Sequence, residues 1–344
     1  MAIVNKMNDL VDLTALILNS SLQTSERCGK ETDAENIFLA TFYLLTFVVA
    51  VVGNVLALGI FLRDRKSGTT ANIFLMYLAL ADLTFVLILP TRVVYHFSSN
   101  HWPFGEVPCR LTGFLFYLNM YASIYFLTCI SVDRFLAIVY PVRSIRLRRP
   151  LYAHLACTFV WVIVAVAMAP LLLSPQTVQV NDTIVCLQLY REKTSRYALV
   201  SVAVAFTVPF VTTVTCYLLI IHRLRNGNRI EKHLKDKAIK MIILVLTIFL
   251  VCFVPYHVNR GIYILFHQGA QTPCVLQRGL AFSNRITSCL TCLNGVLDPV
   301  MYFFVAEKFR AALCRLIYGK SSNLSPLSND RKTSESSLSA KSEL

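Results

Sequence analysis

Two aspartates of this chain, Asp82 and Asp298, are the single charges of two long apolar runs, 72–91 and 286–306. An ionisable side chain set that deep marks function by default. Asn54, Ser123 and Asn294 add amide and hydroxyl oxygens inside comparable runs. Two carboxylates with such oxygens are the donor set of a hard cation, with sodium the candidate. The alternative is a protonated, hydrogen-bonded packing network. A second group is cationic: Arg92, Arg260 and Arg285 stand at the ends of such runs, and His257 lies three residues before Arg260, on the same helical face. Guanidinium groups pair with carboxylate or phosphate through two parallel bonds, so a cavity they share would take an anion. The alternative is that each reaches the headgroup region by itself, but His257 lies about a turn deeper than that explains. Asp133 and Arg134 close the foot of a third run, where the plain reading is an arginine snorkelling to the interface. No nucleophile–base pair, phosphate-binding loop or zinc-ligand spacing is present, so enzyme chemistry has no carrier.

The elements that must hold these residues are set by composition. The chain has 344 residues, of which 56% are hydrophobic and only 15% charged, against about 45–50% and about 25% in an ordinary soluble domain. A membrane-crossing helix needs about 20 mostly apolar residues. Seven runs qualify: 37–62, 72–91, 111–132, 151–173, 197–221, 241–259 and 286–306. They lack the alternation of barrel strands, and lipid offers the backbone no partner outside a helix or closed barrel. The expected fold is therefore all-α, a seven-transmembrane helix bundle. Pro90, Pro170, Pro209, Pro255 and Pro299 interrupt five of the runs, which provides kinks and room for a cavity. The inverted repeats common in transporters are not visible.

The 33 Lys and Arg against 19 Asp and Glu give a net charge of +14, and their distribution indicates topology rather than a nucleic-acid partner. Arg63, Arg65 and Lys66 follow the first run; Arg143, Arg146, Arg148 and Arg149 follow the third; seven basic residues between Arg223 and Lys240 follow the fifth. The intervening 97–108 and 268–273 carry no Lys or Arg. The N-terminus is thus expected outside and the C-terminus inside. The apolar stretch 10–18 is interrupted by Asp12 and lacks a basic flank, so the first run itself is expected to direct insertion. The expected organisation is an extracellular segment 1–35, a bundle 36–305, a membrane-surface amphipathic helix 306–318 and a Ser-rich, disordered cytoplasmic tail 319–344. In that short eighth helix Phe309, Leu313, Leu316 and Ile317 share a face among Lys308, Arg310 and Arg315. Asn19 and Asn181 head glycosylation acceptor triplets on the outer side; Asn323 fits the pattern but falls inside. Of 11 cysteines, six lie within the runs as small buried thiols. Cys28, Cys109, Cys186 and Cys274 lie outside or at the rim, where three pairings are open. Cys314, beside the membrane, is a palmitoylation candidate or a free thiol.

Taken in order, the motifs resemble those of rhodopsin-like G-protein-coupled receptors over the whole chain. They are Gly53-Asn54, Leu78-Ala79-Leu80-Ala81-Asp82, Trp102-Pro103-Phe104-Gly105, Cys109, Asp133-Arg134-Phe135, Trp161, Pro209, Cys252-Phe253-Val254-Pro255 and Asp298-Pro299-Val300-Met301-Tyr302. Phe253 and Asp298 in place of the usual tryptophan and asparagine, with His257-Val258-Asn259-Arg260, resemble the nucleotide-receptor branch. The resemblance implies disulfides Cys109–Cys186 and Cys28–Cys274. It implies a coupling switch at Asp133, Arg134 and Tyr302, a sodium pocket of Asp82, Ser123, Asn294 and Asp298, and no other cofactor. It implies an acidic ligand held by Arg92, Tyr117, His257 and Arg260. Nucleotide receptors usually add a basic residue on the seventh span near Ser288; here the nearest is Arg285, a departure that weakens phosphate recognition more than recognition of a carboxylate-bearing lipid. The implied function is that of a plasma-membrane receptor for an extracellular nucleotide or acidic lipid such as a leukotriene, acting through a heterotrimeric G protein. Signalling without ligand is the second reading, with the loop 174–194, tethered by Cys186, filling the pocket; a transporter is the remote one. Further expected partners are the lipid bilayer, arrestin and receptor kinases acting at Ser334, Ser336, Ser337 and Ser339, and a PDZ-domain protein at Ser342-Glu343-Leu344.

Overall fold

The computed structural model describes residues 32–63, 69–180, 183–187, 196–226, 232–267 and 273–318. Seven helices in it are long and apolar enough to cross a membrane: Asp33–Arg63, Thr70–Phe97, Glu106–Val139, Pro150–Leu173, Val202–Asn226, Lys235–Phe266 and Cys274–Val305. They form one bundle in which the third span is central, packed on the second, fourth and fifth. Its surface is inverted relative to a soluble domain: Leu45, Phe159, Val166 and Val200 are among many large apolar side chains left exposed, while Asp82, Arg92 and Asp298 are wholly buried. That is the arrangement expected where lipid replaces water as the surrounding solvent.

The prolines break the spans in different ways. The second divides into Thr70–Val86 and Leu89–Phe97, and the fourth into Pro150–Met168 and Pro170–Leu173, with Pro90 and Pro170 in the first turn of the new segment, where a missing N–H is harmless. In the sixth span a π-helical turn, Phe249–Phe253, stands just before Pro255. Pro209 is carried inside its helix. Pro299 permits a tight crossing: a Cβ built on Gly53 would lie 2.5 Å from its Cγ, so only glycine lets the first and seventh spans come this close.

One sequence expectation is corrected and one feature is added. The seventh span does not start at residue 286; its helix begins at Cys274. Hydropathy cut it short because Arg278, Asn284 and Arg285 read as loop, whereas Asn284 and Arg285 are buried against the protein. Arg285 is therefore not at a rim but in the body of a helix. The all-α bundle also carries a β-hairpin that the sequence pattern does not announce. Strands β1 (Thr177–Val180) and β2 (Thr183–Cys186) pair antiparallel with Thr177 opposite Cys186; both are rich in the β-branched residues that suit a pleated surface. The hairpin marks one end of the bundle and Asp133 the other. Near the latter, the helix Glu307–Tyr318 seats Phe309, 2% exposed, against the rings of Phe61 and Tyr302.

Candidate functional site

Midway along the bundle lies a polar cluster. Asp82 Oδ1 accepts from Asn119 Nδ2 at 3.0 Å and Asn294 Nδ2 at 3.4 Å. The Tyr302 hydroxyl lies 3.1 Å from Asn54 Oδ1 and 3.4 Å from Asp82 Oδ2. Asn54 Nδ2 donates to the carbonyls of Ala50 and Gly295 at 3.0 and 2.9 Å. Asp298, wholly buried, faces Asp82 and Asn294. Ser123 Oγ and Asn294 Oδ1 are buried with no hydrogen-bond partner among the described residues. Two facing carboxylates repel unless a proton or cation lies between them, and the neighbouring oxygens need a donor or a cation. Asp82, Ser123, Asn294 and Asp298 therefore fit a small hard cation. Asn54, named with the deep oxygens in the sequence, is in the cluster; Asn119 joins it without having been singled out, because its partner Asp82 was not visible from its place in the chain. Tyr302, expected with Asp133 and Arg134, here donates within this cluster.

Toward the hairpin Arg92, Arg260, Arg285 and His257 are buried, at 0%, 5%, 6% and 7% exposure. Independent snorkelling to headgroups is thus excluded. Arg92 Nη1 donates to the Tyr43 hydroxyl at 3.3 Å, and its guanidinium stacks 4.6 Å from the Phe116 ring centroid. Cys289 Sγ donates to the same Tyr43 hydroxyl at 3.5 Å. His257 stacks on Phe206 at 4.1 Å and meets Tyr121 and Tyr256 edge-on. Its Nδ1 is 2.8 Å from the Phe253 carbonyl, so Nδ1 donates there; Nε2 is buried without a hydrogen-bond partner among the described residues. Phe116 connects the two sides, packing on Tyr256 and Tyr117, and the Tyr256 hydroxyl donates to that of Tyr117 at 3.2 Å. Arg260 lies over Tyr263, while its neighbour Asn259 accepts from Ser283 at 2.6 Å, fixing the sixth span to the seventh.

The hairpin is fastened at this end of the bundle. Cys109 and Cys186 are disulfide-bonded, and Val185 and Leu187 are buried. Glu106, not anticipated as functional, gathers the base of the hairpin: it accepts from Gln176 N at 2.7 Å, Thr177 N at 2.9 Å and the Thr177 hydroxyl, and pairs with Arg110 at 2.6 Å. An acidic residue in the first turn before Cys109 was the available signal. Trp102 N donates to the Ile184 carbonyl at 2.8 Å. Cys274 is also disulfide-bonded. Cys28, Asn19, Asn181 and the serines and terminal tripeptide of the tail lie outside the described residues.

At the opposite end Asp133, its side chain 4% exposed, pairs with Arg134 Nη2 at 2.8 Å and Arg148 Nε at 2.9 Å, and Thr70 Oγ1 donates to it at 2.5 Å. The Ser131 hydroxyl donates to that of Tyr217 at 2.7 Å.

Seven membrane-length helices, a disulfide-tethered hairpin at the end with buried cations and an Asp–Arg pair at the far end are features of a seven-transmembrane receptor. The family model for the seven-transmembrane receptors of the rhodopsin family matches residues 53–302, and the chain belongs to that family, whose members signal through G proteins rather than catalyse reactions. It is 70% identical over 332 residues to the mouse uracil nucleotide/cysteinyl leukotriene receptor, covering 96% of this chain and 98% of the relative. The human protein of that name is 71% identical over 329 residues, covering 96% and 90%. A human purinoceptor is 33% identical over 304 residues, covering 86% and 82%.

Proposed function

We propose that this plasma-membrane receptor faces outward with its hairpin end and binds an anionic ligand, a nucleotide or acidic lipid of the kinds named in its relatives. Arg92, His257, Arg260 and Arg285, with Tyr117, hold the anion. The observation that carries this reading is the withdrawal of three guanidiniums and one imidazole from both water and headgroups into the hairpin end of the bundle. Buried cations stand only where a counter-charge or polar contacts compensate them. The ligand acts by population shift: it binds one conformation of the bundle better and so enriches it. Arg134 then leaves Asp133 for the docking helix of a heterotrimeric G protein, and Tyr302 leaves the Asp82 cluster. A sodium ion held by Asp82, Ser123, Asn294 and Asp298 favours the resting arrangement. Glycans at Asn19 and Asn181, a Cys28–Cys274 bond, and arrestin, receptor kinases and a PDZ-domain protein on the tail complete the proposal.

The test is G-protein activation in cells at matched surface expression, across uracil nucleotides, acidic lipids and buffer alone. Arg260→Ala is expected to weaken the response to the active ligand at least tenfold, and Arg134→Ala to abolish all signalling. Normal signalling by Arg134→Ala would overturn the switch. A second reading rests on the burial of Val185 and Leu187: the hairpin itself supports the active bundle. A high signal in buffer that falls on replacing 180–187 would favour it.

A further inference from the structure

Arg134 is only one of three side chains that hold the Asp133 carboxylate. Oδ1 accepts from Thr70 Oγ1 at 2.5 Å and Arg148 Nε at 2.9 Å; Oδ2 accepts from Arg134 Nη2 at 2.8 Å and Arg148 Nη2 at 3.4 Å. Arg148 thus straddles both oxygens with its fork, and Arg134 touches one. Thr70 opens the second span. Arg148 follows the short 3-10 helix Arg143–Arg146 and precedes the fourth span. Its backbone is fixed, since Arg148 N donates at 2.9 Å to the carbonyl of Ser144, which is 2% exposed.

This geometry matters because a buried carboxylate that loses its partner is strongly destabilising. Were Arg134 the sole cation on Asp133, its departure would strand a charge whose side chain is 4% exposed. Arg148 and Thr70 remain after Arg134 has gone, so the carboxylate stays paired in both states.

We propose that Arg148 is a positioning residue of the coupling switch: by holding the Asp133 carboxylate through its own fork, it lowers the cost of releasing Arg134 to the G protein. It acts through Asp133 and need not touch the G protein. This rests on the switch reading given above for Arg134. Two consequences follow in opposite directions. Loss of Arg148 leaves Arg134 as the only cation on Asp133, which favours the resting state. Loss of the Asp133 charge frees Arg134 and leaves Arg148 with nothing to hold.

The experiment measures nucleotide exchange on purified G protein by the full-length receptor in lipid nanodiscs without added ligand, normalised to folded receptor. The variants are Arg148→Ala, Arg148→Lys, Asp133→Asn and the double variant Asp133→Asn/Arg148→Ala. Arg148→Ala is expected to lower exchange roughly fivefold, the factor that about 1 kcal/mol makes. Arg148→Lys, which keeps the charge without the fork, is expected to recover part of the loss. Asp133→Asn is expected to raise exchange, and adding Arg148→Ala to it to change the rate less than twofold. An equal loss in both backgrounds would overturn the proposal, because Arg148 would then act on the G protein or on loop structure independently of Asp133. An Arg148→Ala rate equal to or above wild type would overturn it as well. Arg134→Ala is measured alongside: its continued activity sinks the switch reading itself, whereas a silent Arg134→Ala with equal losses on removing Arg148 in both backgrounds sinks this inference alone.

Discussion

At the scale of single residues, Arg92 shows how a buried guanidinium is held at the hairpin end. Arg92 is wholly buried, and among the described residues it meets aromatic faces and a hydroxyl: Phe116 at 4.6 Å, Tyr43 at 5.5 Å and the Tyr43 hydroxyl. A guanidinium suits such a place because it is planar and weakly hydrated, while an ammonium is a compact, strongly hydrated charge. Arg92→Lys therefore keeps the charge and loses the stacking. It is expected to cost about 1–2 kcal/mol of stability, the range of a desolvated cation–π contact, read as a lower Tm in nanodiscs. An unchanged Tm would show that Phe116 contributes nothing to holding Arg92. Such residues were legible in the sequence because a charge inside an apolar run or at its end is conspicuous: Asp82, Asp298, His257 and Arg92 all stood out. Glu106, Asn119 and Arg148 did not. Each is unremarkable by type and place, and its role exists only through a partner far along the chain, at separations of 71, 37 and 15 residues.

At the scale of elements, prolines and hydropathy foretold more than loops did. The breaks at Pro90 and Pro170 follow from a missing donor and a fixed φ, properties written in one residue. The hairpin was missed because two four-residue strands are too short to announce themselves and are marginal in isolation. It is stable here because it is fastened: to Cys109 by the disulfide, to Trp102 by a backbone bond and to Glu106 by three donors. Glu106→Gln presents an amide N–H2 where a carboxylate oxygen had accepted from Gln176 or Thr177, setting donor against donor. The base of the hairpin should open more often. Amide exchange at Gln176 and Thr177 is expected to rise about tenfold, equivalent to about 1.4 kcal/mol of local opening, with protection in the third span unchanged. Equal exchange in wild type and variant would mean that the disulfide alone sets the hairpin.

At the scale of the whole molecule, the two ends communicate only if some element between them has two arrangements. The polar cluster is placed to be that element. Tyr302 on the seventh span reaches Asn54 on the first and Asp82 on the second, and Asp82 reaches Asn119 on the third. The third and seventh spans thus hydrogen-bond the carboxylate of the second, and the first is tied in through Tyr302, so none of the four can shift without breaking a hydrogen bond of the cluster. The cation proposed between Asp82 and Asp298 would stabilise the converged arrangement by about 1 kcal/mol once its free concentration is about fivefold above its Kd. Linkage then requires a symmetrical effect: whatever factor sodium takes from the affinity of an activating ligand, that ligand takes from the affinity of sodium. Replacing sodium by a large organic cation at constant ionic strength is therefore expected to raise ligand-free signalling several-fold in the wild type. Asp298→Asn removes one of the two facing carboxylates and with it the repulsion that a cation relieves, so its signalling should be insensitive to the exchange. A wild-type receptor equally indifferent to sodium would mean that a shared proton, rather than an ion, holds Asp82 and Asp298 together, and that the cluster transmits without a bound cation.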